Sequence, residues 1–119
     1  MHHELPLWTP HIDGVGTPVY QFAQLASLLA QRPLESFQDL HTWSVTDVAG
    51  FWKLVWEFCD VKGDQGDPSF CPEPDMMQAR FFPNAKLNFA ENLLKTTGSH
   101  GAIVFWGEDK VKVRWSWDQ

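Results

Sequence analysis

The sequence predicts an α+β chain in which several short-to-medium helices precede a C-terminal β-hairpin. Three observations carry that expectation. Apolar residues recur at three- and four-residue steps between residues 19 and 59, behind capping residues that open helices. A Pro- and Gly-rich stretch then breaks the pattern. Finally, Ala102–Trp106 and Val111–Trp117 are β-rich segments separated by Gly107, Glu108, Asp109 and Lys110, which is a hairpin signal.

In chain order, residues 1–16 hold Pro6, Pro10, Gly14 and Gly16 around Leu5, Leu7 and Trp8, a pattern expected of an extended arm. Thr17 and Pro18 open the first helix, with Thr17 as N-cap and Pro18 in the first turn. Val19, Phe22, Leu25, Ala26 and Leu29 recur on its inner face until Arg32-Pro33. Ser36-Phe37-Gln38-Asp39 is a weak capping pattern for a short turn of helix in which Phe37, Leu40 and Trp43 share a face. Ser44-Val45-Thr46-Asp47 opens the best-patterned helix, with Val45, Val48, Trp52, Val55 and Cys59 inward and Phe51 and Phe58 widening the stripe. Gly50 weakens that helix slightly without breaking it. Residues 61–78 form a loop, being rich in Gly, Pro and Asp.

Pro83 is expected to push Phe82 toward an extended conformation. Asn88 is an N-cap with Glu91 three residues on, so Phe89, Leu93 and Leu94 should face inward, and Gly98 is a left-handed stop. In the hairpin, the two-residue period places Val111, Val113, Trp115 and Trp117 on one face and Lys112, Arg114 and Ser116 on the other. A lone two-stranded hairpin is marginal in water and needs the helices or further strands, which the chain does not supply before Gln119.

Length and composition set limits on function. At 119 residues, with 44% hydrophobic residues, one folding unit with a core is expected. Seven Trp and nine Phe either fill that core or mark a surface that another domain covers. A formal charge of −6 with nine scattered basic residues argues against a nucleic-acid partner. No apolar run approaches the ~18 residues of a membrane span, and the start lacks a signal-peptide pattern. A cytoplasmic location without membrane contact is therefore expected. Cys59 and Cys71 lack metal-site spacing, and Cys59 reads as a buried hydrophobe. His2, His3, His11, His41 and His100 lack the spacing of paired ligands. Asp60, Asp64 and Asp67 invite a calcium-loop reading that Lys62, Pro68 and the missing distal Glu spoil.

Five segments lose their anonymity together. They are Leu7-Trp8-Thr9-Pro10, Leu40 to Val45, Phe51 to Cys59, Arg80-Phe81-Phe82-Pro83 with Leu87 to Leu94, and Ala102 to Glu108. In that order they resemble the N-terminal region of the acetoacetyl-CoA synthetase branch of the AMP-forming adenylating superfamily. The opening Leu-Trp-Thr-Pro, the Val-Trp-Glu-Phe run and Phe-Ala-Glu-Asn-Leu-Leu mark this branch. Phe81 stands where Trp is commoner, and Gly66 to Met77 departs from the usual pattern.

The resemblance implies an acid–thiol ligase of lipid and ketone-body metabolism. A carboxylate attacks the α-phosphate of ATP to give an acyl-adenylate and diphosphate, and the CoA thiol then displaces AMP. It implies an N-terminal fragment of the large adenylation domain, with a helical segment at 1–98 and a hairpin at 99–119 that begins the AMP-binding domain. ATP, Mg and CoA belong to the full-length parent. No phosphate loop, ribose signature or adenylate-stabilising lysine is present, so no catalytic, cofactor-binding or metal residue is assigned, and the piece alone is expected to be structural and inactive. Its expected partner is the rest of the adenylation domain, with self-association through the hairpin edge and Trp face as a further route. The alternatives are the same region of an acetyl- or propionyl-type synthetase and a stand-alone Trp-rich interaction module.

Overall fold

The computed structural model describes residues 14–108 and 110–119; the arm expected at 1–16 falls outside them up to residue 13. The described chain is mixed α and β, in two compact units. The first comprises the residues up to Val61 together with Gln65–Ala85, and the second comprises Lys62–Asp64 and Lys86–Gln119. The second unit thus takes in residues 86–98, upstream of the boundary expected at 98.

Three helices build the first unit: α1 (Pro18–Ala30), α2 (Phe37–Thr46) and α3 (Val48–Phe58). Thr17 caps α1, its hydroxyl accepting from the Tyr20 amide and donating to the Gly14 carbonyl at 2.6 Å. Gln31 ends the helix in the left-handed region. Ser27 then seats the returning chain: its hydroxyl accepts from the Leu34 amide at 3.0 Å, which places Leu34 in the core.

A full capping box opens α2, where Ser36 and Asp39 bond reciprocally. The Ser36 hydroxyl, then its amide, hold the Asp39 carboxyl below its ordinary value of 3.8. This contribution to stability is in place above about pH 4 and is lost as pH falls through the lowered folded value. With its cap complete, α2 runs ten residues instead of one short turn.

The core consists of Phe22, Ala26, Leu34, Trp43 and Leu54, with Ala30, Leu40, Phe51, Val55 and Phe58 packed against it. Edge-to-face contacts link Phe22 to Phe51 and Phe58, at 5.7 and 5.3 Å, and Trp43 to Phe51 at 6.0 Å. This core is narrower than the apolar spacing implied. Val19, Leu25 and Leu29 of α1, Phe37 of α2, and Val45 and Trp52 are exposed. The reason is register: α3 begins at Val48 behind Asp47, so its inward face is Phe51, Leu54, Val55 and Phe58 and does not include Val45, Trp52 or Cys59. Cys59 is exposed, where a buried thiol was expected.

Asp47 caps α3 by accepting from the Gly50 amide at 3.0 Å, and a Cβ on Gly50 would collide with that carboxylate. The usual gain of about 1 kcal/mol for Gly→Ala in a helix is therefore offset by the loss of a cap of about the same size. Gly50→Ala should leave the unfolding free energy, measured by denaturant titration, unchanged to within about 0.5 kcal/mol. A stabilisation near 1 kcal/mol would contradict the cap assignment.

The expected loop at 61–78 is more ordered than its composition suggests. Strand β1 (Phe70–Cys71) pairs antiparallel with β2 (Arg80–Phe81), and Met76–Gln78 forms a single 3₁₀ turn. The Ser69 hydroxyl donates to the Ala49 carbonyl, and the Asn84 side-chain amide donates to the Asp67 carbonyl. Phe82 is left-handed, with φ 46°, where Pro83 was expected to hold it extended. A turn explains this: the Ala85 amide donates to the Phe82 carbonyl at 3.0 Å, and the Phe82 ring lies on Trp56 at 5.0 Å. Strain at such a residue costs about 1–3 kcal/mol and persists only where the surroundings hold it.

In the second unit, helix α4 (Phe89–Leu93) starts at Asn88, whose Oδ1 accepts from the Ala90 and Glu91 amides. It ends at Leu93, well before Gly98. Strands β3 (Gly101–Trp106) and β4 (Lys112–Ser116) form the expected antiparallel hairpin, with Ile103 opposite Trp115 and Phe105 opposite Val113. The register shifts between Gly101 and Ile103, leaving Ala102 as the extra residue of a bulge. Phe89, Leu93 and Leu94 are exposed, contrary to the inward placement expected from the cap. A five-residue helix offers too little length for its apolar side to reach a core, and this unit contains no buried residue among those described.

Candidate interaction surface

Among the described residues, the side chains with potential chemistry do not converge. Among the described residues, no group of three His, Cys, Asp or Glu could hold a metal ion. His41 is exposed and stacks on Phe37 at 6.3 Å, while His100 is exposed beside the hairpin and its carbonyl accepts from the Trp117 amide. His2, His3 and His11 lie outside the described residues. Cys71 is half-buried in β1, opposite Arg80. Asp60, Asp64 and Asp67 are all exposed, and Asp64 bridges by its backbone to Lys86. No helix among the described residues is long and apolar enough to cross a membrane.

What the chain does present is apolar surface, separately on each unit. On the first, Pro18, Val19, Phe37, Leu40, Val55 and Phe58 line an open groove above the Phe22 and Phe51 rings. On the second, the hairpin has two unlike faces. Cross-strand pairing puts Ile103, Phe105, Val113 and Trp115 on one face, which has no polar lining. The opposite face carries Val104 against Arg114 and Trp106 against Lys112, with the Lys112 ammonium 4.8 Å from the centre of the Trp106 ring. That cation–π contact leaves Trp106 64% exposed, and on the apolar face Ile103, Phe105 and Trp115 are each more than half exposed as well. Covering their remaining surface would contribute about 1 kcal/mol apiece. Leu93 at the end of α4 and Leu94 just after it extend the apolar surface past Ala102 toward Trp117.

Asn92 is the positioning residue that sequence reasoning missed. Its Oδ1 accepts from the Lys62 amide and its Nδ2 donates to the Lys62 carbonyl, both at 2.8 Å, while Nδ2 also donates to the Asn88 carbonyl at 2.9 Å. The side-chain amide thus acts as a short strand partner for residue 62. Its place one turn after the Asn88 cap was the one available signal. Next to it, Gly63 has φ 149°, and a Cβ there would meet the Lys86 carbonyl at 2.7 Å, so the close approach of the two segments requires glycine.

No family model matches this chain, and no solved structure matches it. Several curated proteins are similar to it. Acetoacetyl-coenzyme A synthetase of Rhizobium meliloti (strain 1021) is 42% identical over 120 aligned residues, which cover 100% of this chain and 18% of that protein. Malonamoyl-CoA synthetase of Penicillium aethiopicum is 34% identical over 90 residues, covering 74% of this chain and 12% of that enzyme. Acetoacetyl-CoA synthetase of Danio rerio is 33% identical over 91 residues, covering 75% of this chain and 13% of that protein. The chain spans less than a fifth of the length of each of these relatives.

Proposed function

We propose that this chain, similar along its whole length to a segment of the Rhizobium meliloti acetoacetyl-CoA synthetase, is the N-terminal scaffold of an AMP-forming acetoacetate–CoA ligase. It contributes packing surface and no reacting group. The single observation that carries this reading is the 42% identity over the entire chain. Whole-length identity favours it over a stand-alone Trp-rich module, which would have no reason to align from end to end with an enzyme segment.

In this reading the ligase converts acetoacetate, ATP and CoA to acetoacetyl-CoA, AMP and diphosphate, in the cytoplasm. ATP, Mg and CoA are held by the remainder of the adenylation domain. That remainder is also the partner of the exposed apolar faces, because rings such as Trp115 and Phe105 are the surface a missing body would cover. A second acid has a specific observation in its favour, the similarity to a malonamoyl-CoA synthetase. Since the acyl pocket lies outside this segment, the choice between acids belongs to the complete ligase.

Two assays test the proposal. The purified 119-residue chain should show no acetoacetate-dependent exchange between ATP and diphosphate, and measurable exchange would overturn its purely structural role. The complete ligase, given acetoacetate, malonamate, acetate and propionate in turn, should prefer acetoacetate. A preference for malonamate would select the second reading.

A further inference from the structure

We infer that the second unit, residues 62–64 and 86–119, acquires its fold only when the face formed by Ile103, Phe105, Val113 and Trp115 is seated on the rest of a synthetase chain, whereas the helical unit folds by itself. The inference rests on the function proposed above for its choice of partner. Its physical basis is the difference between the two units. Phe22, Ala26, Leu34, Trp43 and Leu54 are buried in the first, and no described residue is buried in the second.

A two-stranded hairpin without a covered face is marginal in water. The five-residue α4 supplies no core, and the Asn92 clasp on Lys62 is exposed to competition from solvent. The missing stabilisation must come from outside the unit. The face that receives it is the one without polar lining, because the opposite face, although its Val104 and Trp106 are also exposed, carries the charged Lys112 and Arg114. The occupant is therefore apolar. More than four-fifths of the related Rhizobium enzyme lies outside the part matched by this chain, and such a body is large enough to provide it. Docking and folding of the second unit are one event, so its ordering cost is met at the interface.

Amide hydrogen exchange tests this on two proteins: the 119-residue chain, and the Rhizobium meliloti enzyme carrying this chain in place of its homologous segment. In the isolated chain, the α1–α3 amides should exchange about 100-fold more slowly than those of β3 and β4. In the chimaera, the β3 and β4 amides should slow by about 100-fold. Phe105→Lys should abolish that gain, and Trp106→Lys, on the opposite face, should leave it. Hairpin protection equal to that of the helices in the isolated chain, as a monomer or as a dimer by sedimentation, would overturn the inference while leaving the proposed function standing. An inactive chimaera with a protected hairpin would instead count against the proposed function alone. If Trp106→Lys and Phe105→Lys had equal effects, the assignment of the docked face would be wrong.

Discussion

Trp43→Ala should unfold the helical unit. Trp43 is 4% exposed and is the largest side chain in a core of five buried residues. Truncating a buried Trp costs about 3–5 kcal/mol through lost transfer energy and the cavity left behind. A core this small rarely supplies more than about 3–5 kcal/mol in total, so the loss is comparable to everything the unit has. The cavity cannot collapse easily, because the Phe51 ring that meets Trp43 is also held by Phe22 and Trp52. Near-ultraviolet circular dichroism and a denaturant titration should show the cooperative transition gone in Trp43→Ala. Val45→Ala, two residues along α2 and exposed, should change stability by no more than about 0.5 kcal/mol. Equal losses in the two variants would contradict the register described here.

That pair of variants also separates what could be read in the sequence from what could not. Three of the caps and the hairpin followed from local chemistry: Thr17 before Pro18, Ser36 with Asp39, Asn88 before Phe89, and β-rich segments flanking Gly107, whereas Ser44–Thr46, expected to open α3, instead complete α2 and Asp47 caps α3. Burial did not follow, because spacing alone cannot tell which of several apolar rows meets a neighbour. Val45 and Trp52 fit the predicted stripe, yet Asp47 ends one helix and caps the next, rotating the inward face of α3 to Leu54. Phe82 escaped local rules for a similar reason. Its left-handed backbone depends on a turn to Ala85 and a ring contact with Trp56, twenty-six residues earlier.

The inward placement of Phe89, Leu93 and Leu94 failed in a more informative way. Their pattern is that of a covered helix face, and within residues 86–119 nothing covers it. The same holds for Ile103, Phe105 and Trp115. These residues carry a core-like pattern without a core; the two-residue period placed Val113 and Trp115 on one face, but Ile103 and Phe105 joined them only once the strand register was fixed. The absence of a nominated reacting residue has a similar logic. Asp60, Asp64 and Asp67 are close in sequence, but among the described residues they join no group of three His, Cys, Asp or Glu that could hold a metal ion.

If the chain supplies packing surface and no chemistry, it should be replaceable by transplant. In the Rhizobium meliloti enzyme, exchanging the homologous segment for this chain changes more than half of the aligned residues. On the proposed function, all the groups that bind ATP and form the adenylate would remain those of the host. Only their positioning could suffer, and a misplacement costing 1.4 kcal/mol in the barrier would lower turnover by about tenfold. Removing the segment altogether should abolish turnover, because the apolar surface it covers would be left open to water. The decisive measurement is acetoacetate-dependent AMP formation by the chimaera, alongside the intact host and the host lacking the segment. The expected rate is within about tenfold of the host for the chimaera and zero for the truncated enzyme. A soluble, folded chimaera without AMP formation, or full activity in the truncated enzyme, would contradict the proposed scaffold role.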